Sequence, residues 1–196
     1  MSVYSHLYDP FMALQERLGL WKLRLKTVGQ AEGEVLEVGV GSGLNFPHYK
    51  KAAKVIGIDP DTVLLGKARR RAGEVSFPVH LEEGNAEELP FPDESFDTVV
   101  ATLVYCTVPD ALRGLRELRR VVRPGGTIRL LEHVRSPNPG MAKVQDFIAP
   151  VWVWAFSGCH PNRDTVRLIK EAGIVITNER RYSSGRVVAI QGKAGP

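Results

Sequence analysis

Short apolar runs alternate along this chain with longer stretches in which apolar residues return every three or four positions. Val35, Leu36 and Val38 fit a buried strand, and Lys54 to Ile58 a second. Phe77 to Glu82 reads as a third. Phe96 to Leu103 is rich in Val and Thr and alternates little, as a central strand buried on both faces does. Thr127 to Val134 makes a fifth. Between them, Asp61 or Thr62 can cap a helix that runs to Ala72 and stops at Gly73, and a helix over Asp110 to Val122 stops at Arg123-Pro124-Gly125-Gly126. Asn162 can cap a last helix through Ala172-Gly173. Ile174 to Glu179 and Val187 to Gln191 then pair as an antiparallel hairpin. Strands and helices in alternation call for an α/β fold, a mostly parallel sheet with helices on both faces and the hairpin at its end.

Two regions depart from this rhythm. The first thirty residues carry Leu7, Tyr8, Phe11, Leu14, Leu18 and Trp21 at broadly helical spacing, punctuated by Pro10 and Gly19, so two short helices are expected before a linker from Gly29 to Gly33. They can pack over the sheet, or form a lid or a membrane-surface helix. From Ser136 to Gly158, Pro137, Pro139, Gly140 and Pro150 interrupt regularity. In an open α/β sheet such a segment lies beside the carboxyl edge, where ligands bind, and Trp152, Trp154 and Phe156 are candidates for an apolar wall there. The chain thus reads as a single domain over 1–196, with a helical lid at 1–33, a core at 34–134, and an acceptor-side segment and terminal hairpin at 135–196.

The first strand runs straight into Gly39, Gly41 and Gly43, and the second ends in Asp59, twenty positions after Gly39. Glycines at alternate positions let a ligand lie against the main chain, and a carboxylate at Asp59 can accept both hydroxyls of a ribose. A dinucleotide fingerprint places its third glycine where this chain has Leu44. The spacing here is G-x-G-x-G with Glu37 two residues ahead, which suits a ligand with an adenosine and an amino-acid end but no phosphate. That ligand is S-adenosylmethionine.

Length and composition narrow the class. With 196 residues, 43% of them hydrophobic and 24% charged, the chain supports one well-buried core and not a disordered segment. The longest apolar stretch, Ile148 to Phe156, contains Pro150 and falls far short of the ~20 residues of a spanning helix. Met1-Ser2-Val3-Tyr4 lacks the regions of a signal peptide, so a cytoplasmic location is expected, peripheral at the membrane if the N-terminal helices touch lipid. Net charge is +4, but Arg113, Arg116, Arg120 and Arg123 alternate with leucines at helical spacing without interleaved aromatics. That is a solvated helix face, and no nucleic-acid partner is expected. Cys106 and Cys159 lie in different segments with no C-x-x-C spacing, so they read as two reduced, packing thiols, and no metal site is expected. Nothing in the sequence sets the oligomeric state.

Four blocks, L-E-V-G-V-G-S-G, V-I-G-I-D-P, G-N-A-E-E-L-P-F-P-D-E-S-F-D and L-R-R-V-V-R-P-G-G, span residues 34 to 134. With them the chain resembles class I S-adenosylmethionine-dependent methyltransferases of the small-molecule group that includes the ubiquinone and menaquinone enzymes. L-E-H-V, A-F-S-G-C-H-P-N-R-D-T and T-L-V-Y-C-T-V resemble more closely the thiol S-methyltransferases. Some bacterial phospholipid N-methyltransferases share the four general blocks. The resemblance implies a Rossmann-like fold with a seven-stranded sheet, and a cofactor site on Glu37, Gly39, Val40, Gly41, Gly43 and Asn45. Asp59 and Pro60 would serve the ribose, Asn85 and Ala86 the adenine, and Thr102 and Leu103 would lie beneath the methionine portion. An aspartate is usual where this chain has Asn85, whose amide oxygen can still accept from the adenine amino group.

The function expected is methyl transfer to a small, rather apolar acceptor, a thiol ahead of a quinone-type phenol or a phospholipid amine. A dinucleotide-dependent oxidoreductase and a non-enzymatic binding module are the alternatives of other classes. If the acceptor arrives protonated, His133 and His160 are the candidate bases, since imidazole titrates near neutrality.

Overall fold

The computed structural model describes residues 9–10, 12–156 and 158–195. Seven strands, β1 (Glu32–Val38), β2 (Lys51–Asp59), β3 (Val79–Glu83), β4 (Phe96–Thr102), β5 (Val122–His133), β6 (Ile174–Tyr182) and β7 (Val187–Ala194), form one sheet in the order β3-β2-β1-β4-β5-β7-β6. β7 is antiparallel to both of its neighbours, and the other pairs are parallel. Val38 is level with Ile58 on one side and Ala101 on the other, and Ala101 with Leu130. The carboxyl ends of β1, β2, β4 and β5 therefore finish at one edge. Strand order reverses between β1 and β4, which opens a crevice there.

Side chains that alternate along the strands fill both faces. Leu36, Ile58, Tyr105, Leu115, Leu130 and Ile169 pack on one, and Val35, Phe46, Val55, Leu65 and Val100 on the other. The helices are α1 (Trp21–Val28), α2 (Thr62–Ala72), α3 (Ala111–Val121), α4 (Pro139–Ala155) and α5 (Thr165–Glu171). α2 begins and ends as its sequence predicts: Asp61 Oδ1 accepts from the N–H groups of Val63 and Leu64 at 2.9 and 3.1 Å, and Gly73 closes it.

Several expectations are corrected. Residues 139–155 form one helix and not an irregular segment, because Pro139 stands in the first turn, where its missing N–H costs nothing, and Asn138 Oδ1 caps Met141 N–H at 3.1 Å. Pro150 is on the exposed side, where the carbonyl it frees, that of Asp146, can meet water. Buried Gln145 fixes this helix to the core, donating to the carbonyls of Val134 and Pro161 at 3.0 and 2.7 Å and accepting from Ser136 N–H at 2.7 Å. Arg123-Pro124-Gly125-Gly126 lies inside β5, as an irregularity between the pairs Phe96–Val122 and Thr98–Thr127. Asp164, not Asn162, caps α5; the Asn162 amide donates to Asp146 instead, at 2.9 Å. Glu32 and Gly33, read as linker, begin β1, and β2, β6 and β7 run longer than their apolar cores.

Before β1, residues 12–15 are helical, a π-helical turn covers Glu16–Leu20, and Gly19 breaks it at φ 107°, the punctuation expected there. Asp9 and Pro10 are themselves helical. Residues 1–8 and 11 of the expected lid lie outside the described residues. No described helix is long and apolar enough to cross a membrane.

Candidate functional site

β1 delivers Glu37 to the crevice and then bends. Gly39 sits at φ 66°, and a Cβ there would come within 2.4 Å of Val104 Cγ2. Only glycine satisfies both the backbone angle and the close approach. Two donors tie the bend to the end of β2: Val40 N–H bonds Ile58 O at 3.0 Å, and Gly41 N–H bonds Asp59 Oδ2 at 2.8 Å. Asp59 Oδ1 accepts from Asp61 N–H at 2.9 Å, next to Pro60. Burial raises the Asp59 pKa against the pull of these bonds. Each carboxylate oxygen retains acceptor capacity for a ligand hydroxyl.

Behind the bend lies a polar network that the sequence did not disclose. Glu37, 1% exposed, accepts from Asn45 Nδ2 and from the Tyr49 hydroxyl, both at 2.8 Å, and burial pushes its pKa up to about 7 despite those bonds. Asn45 Nδ2 also donates to Thr102 Oγ1 at 2.9 Å. Arg24 on α1, buried to 3%, donates from Nη1 to Asn45 Oδ1 at 3.0 Å and to Thr102 Oγ1 at 2.9 Å, and from Nε to Glu16 Oε1 at 2.7 Å. In the sequence Arg24 is one polar position among Leu23 and Leu25, with nothing to mark it. Farther out, Ser42 Oγ donates to Asp9 Oδ1 at 2.6 Å, and Asp9 Oδ2 lies 3.4 Å from Arg71 and 3.6 Å from Lys67, so the N-terminal segment reaches the glycine loop.

β4 ends abruptly. Leu103 adopts φ 59° and its N–H bonds Leu131 O at 2.7 Å, which turns the chain out of the sheet one residue before the expected end of the strand. Fully buried Glu132 of β5 catches the loop that follows: Oε1 accepts from Val104 and Tyr105 N–H at 3.1 and 3.0 Å, and Oε2 from Cys106 N–H at 3.2 Å. Burial pushes its pKa up to about 7. An acid directly after the apolar pair Leu130-Leu131, the E of L-E-H-V, was the signal that could have found it. Asn85 turns its Oδ1 to Glu87 N–H at 2.9 Å, and Ala86 beside it is nearly buried. Arg120, read as part of a solvated face, holds this loop region, donating to the carbonyls of Phe91 and Leu89 at 2.7 and 3.0 Å.

Next to the network, a cleft of about 660 Å³ opens between the segment around Gly19, α4 and the β6–β7 hairpin, with His133 in its wall. Trp152 lines it, and Phe156 packs on Trp152 at 4.3 Å between ring centroids. Trp154 is corrected: it is 86% exposed on the outer side of α4 and forms no part of the wall. His160 is held elsewhere, its N–H on Cys106 O at 2.7 Å and its Nδ1 3.3 Å from Arg163.

The two cysteines, expected to be separate, meet. Cys159 Sγ lies 3.6 Å from His133 Nδ1, and the ligand atoms of Cys106, His133 and Cys159 all fall within 4.8 Å of one another. Hydrogen bonding from Cys106 lowers the Cys159 pKa, and the same contact together with burial raises that of Cys106.

The profile of the family described as Methyltransferase domain matches residues 36–130. Human thiol S-methyltransferase TMT1A is 30% identical over 173 residues, covering 86% of this chain and 71% of that protein. A phosphatidylethanolamine N-methyltransferase of Cereibacter sphaeroides is 41% identical over 119 residues, 60% of this chain and 59% of its own length. Rat TMT1B is likewise matched over 59% of its length, so the chain spans about three fifths of these last two relatives. In fold, a Haloferax volcanii methyltransferase solved with the Trm112 methyltransferase activator superposes with a TM-score of 0.79 at 17% identity, over 100% of this chain and 99% of that one. Geranyl diphosphate methyltransferase in complex with S-adenosylmethionine gives 0.73 at 16% identity, over 89% and 84%. S-adenosylmethionine is the cofactor that goes with this family. The residues present fit it: glycine where the bend needs a positive φ and a close approach, and a buried carboxylate with spare lone pairs.

Proposed function

The chain belongs to the S-adenosylmethionine-dependent methyltransferase family, and from that premise we propose that it methylates a small, rather apolar acceptor, a thiol before others. The observation that carries this reading is the cleft, walled by Leu20, Leu23, Ile148 and Trp152 and ending on His133 at the tip of β5. When bound, S-adenosylmethionine supplies a methyl group on a cationic sulfur, which a thiolate takes by in-line displacement, leaving S-adenosylhomocysteine.

In this reading Gly39, Val40, Gly41 and Gly43, backed by Glu37 and Asn45, receive the amino-acid end. Asp59 and Pro60 take the ribose, Asn85 and Ala86 the adenine, and Thr102 and Leu103 form the floor. Positioning of this kind contributes roughly 7–11 kcal/mol of barrier reduction. The apolar wall keeps water from the nucleophile, and His133 removes the proton that an ordinary thiol of pKa about 8.5 still carries at neutral pH. We assign His160 no proton transfer, because it does not line the cleft and its Nδ1 lies 3.3 Å from Arg163.

A panel of thiols, quinols and phosphatidylethanolamine assayed for S-adenosylhomocysteine release tests the acceptor, and no turnover with any thiol ends this reading. His133→Ala is expected to lower the thiol rate at least tenfold at saturating acceptor while S-adenosylhomocysteine binds as before. An unchanged rate removes His133 from the mechanism.

A specific surface favours a second reading, a phospholipid amine acceptor met at a membrane surface by a cytoplasmic protein. Val144, Phe147, Val151 and Trp154 form an exposed stripe along α4, 52 to 86% accessible, and Leu14 and Leu18 are exposed on the segment before α1. Such a face suits the interface of a bilayer. If the protein never sediments with anionic liposomes, this reading is lost.

A further inference from the structure

We propose that Cys106, His133 and Cys159 bind one thiophilic metal ion, Zn²⁺ in the first instance, through two thiolate sulfurs and one imidazole nitrogen, with a fourth position open toward the acceptor cleft. The residues come from three places in the chain: the loop after β4, the last position of β5, and the turn after α4. Their ligand atoms lie within 4.8 Å of one another. A tetrahedral Zn²⁺ with bonds of about 2.3 Å to sulfur and 2.0–2.1 Å to nitrogen sets its sulfur and nitrogen ligands about 3.6 Å apart. Cys159 Sγ and His133 Nδ1 stand at 3.6 Å already.

The surroundings hold the three ligands close to this geometry in advance. Glu132 fixes the backbone of Val104, Tyr105 and Cys106, and the His160 N–H bonds Cys106 O at 2.7 Å, so the two cysteine-bearing loops are tied to each other directly. Arg163, bonded to the carbonyl of Tyr105 at 2.6 Å, adds a second tie. Two thiolates balance the charge of a divalent ion, so the site is neutral and suits a buried place. Soft sulfur ligands with one imidazole select Zn²⁺ or Cu⁺ over Mg²⁺ and Ca²⁺. Three protein ligands and one open position is the composition of a reactive site, and His133 is the member that also lines the cleft.

The role of the ion, though not its binding, rests on the thiol reading above. An acceptor thiol that completes the tetrahedron loses its proton to solvent as its sulfur bonds the ion, so in the metal-loaded protein the ion takes over the deprotonation assigned above to His133, which then serves as its ligand. The thiolate is then presented to the donor's methyl.

The test uses the full chain, stripped with a chelator and titrated with Co²⁺, whose thiolate charge-transfer and tetrahedral d–d bands report the ligand set without turnover. One equivalent is expected to bind with both bands and to be displaced by Zn²⁺. Cys106→Ser and Cys159→Ser are each expected to lower the charge-transfer band by about half or weaken binding at least tenfold, and the double variant to abolish the band, while far-UV circular dichroism and S-adenosylhomocysteine affinity stay as in the parent. Absence of the band in folded parent protein, or an equal band in the double variant, overturns the site. Addition of a small thiol to the cobalt form is expected to intensify the charge-transfer band; an unchanged spectrum overturns the open position. Because these readouts need no methylation, they stand if the acceptor turns out not to be a thiol.

Discussion

Arg24 Nη1 donates to Thr102 Oγ1 at 2.9 Å, a contact that joins α1 to the end of β4 across 78 positions of the chain. The helix that precedes the core is thereby held by a buried charge at the crevice, and the network passes on to Asn45 and Glu37. Leu23, next in the chain, lines the cleft. One residue pair thus couples the placing of the cleft wall to the crevice at the end of β4.

Arg24→Ala leaves Asn45, Thr102 and Glu16 without their charged donor. Hydrogen bonds to charged groups are worth about 1.5–3 kcal/mol each and are not additive here, so a loss of roughly 2–4 kcal/mol in urea unfolding is expected. Arg24→Lys is expected to recover less than half, since an ammonium cannot span three acceptors as a planar guanidinium does. A loss below about 0.5 kcal/mol for the alanine variant would show that the network carries no stability.

Gly39→Ala places a methyl 2.4 Å from Val104 Cγ2 at a backbone angle of φ 66°. Val104 belongs to the loop that Glu132 pins, so it cannot retreat freely. Stability is expected to fall by about 1–3 kcal/mol, and S-adenosylhomocysteine affinity, measured by calorimetry, at least tenfold.

Glu37 gives stability a pH dependence with a definite sign. Its folded pKa is raised to about 7 from an ordinary 4.5, so between those values the folded protein holds a proton that the unfolded chain has released. Stability is therefore highest below about pH 4.5 for this group, falls as pH rises toward 7, and is level above; the total is about 3 kcal/mol at most. Glu132, buried likewise, acts in the same direction. Glu37→Gln leaves Glu132 in place, and the difference between parent and variant across pH 5 to 8 isolates Glu37. A difference that does not change with pH would mean that Glu37 is ionised throughout.

The exposed stripe on α4 separates the two acceptor readings. Replacing Phe147 and Trp154, 85 and 86% exposed, by serine removes little packing, so thiol methylation is expected to stay within twofold. If the membrane surface is used, sedimentation with anionic liposomes falls at least tenfold in the same variant.

The sequence alone determined what short-range chemistry controls. Asp61 and Gly73 bound α2 because a cap and a stop act within a few residues, and the apolar runs at Val35 and Val55 mark strands because burial on a sheet repeats along the chain. The glycine bend and Asp59 were legible for the same reason, since a strand must lead into each. Even locally, residue types misled where position mattered more: Pro139 opens α4 and does not break it, and the prolines and glycines after Val122 sit within β5. Trp152 and Trp154 could not be told apart until the helix that carries them was docked, one side to the cleft and the other to solvent.

Only the tertiary structure brought Arg24 to Thr102, or Cys106 and Cys159 to His133. These meetings depend on strand ends levelled at one edge of a sheet and on loops hung from them, geometry that no spacing along the chain records. Two cysteines without a motif looked like inert packing. Folding set them side by side with an imidazole, because β4 and β5 are neighbours and α4 returns the chain to the same edge.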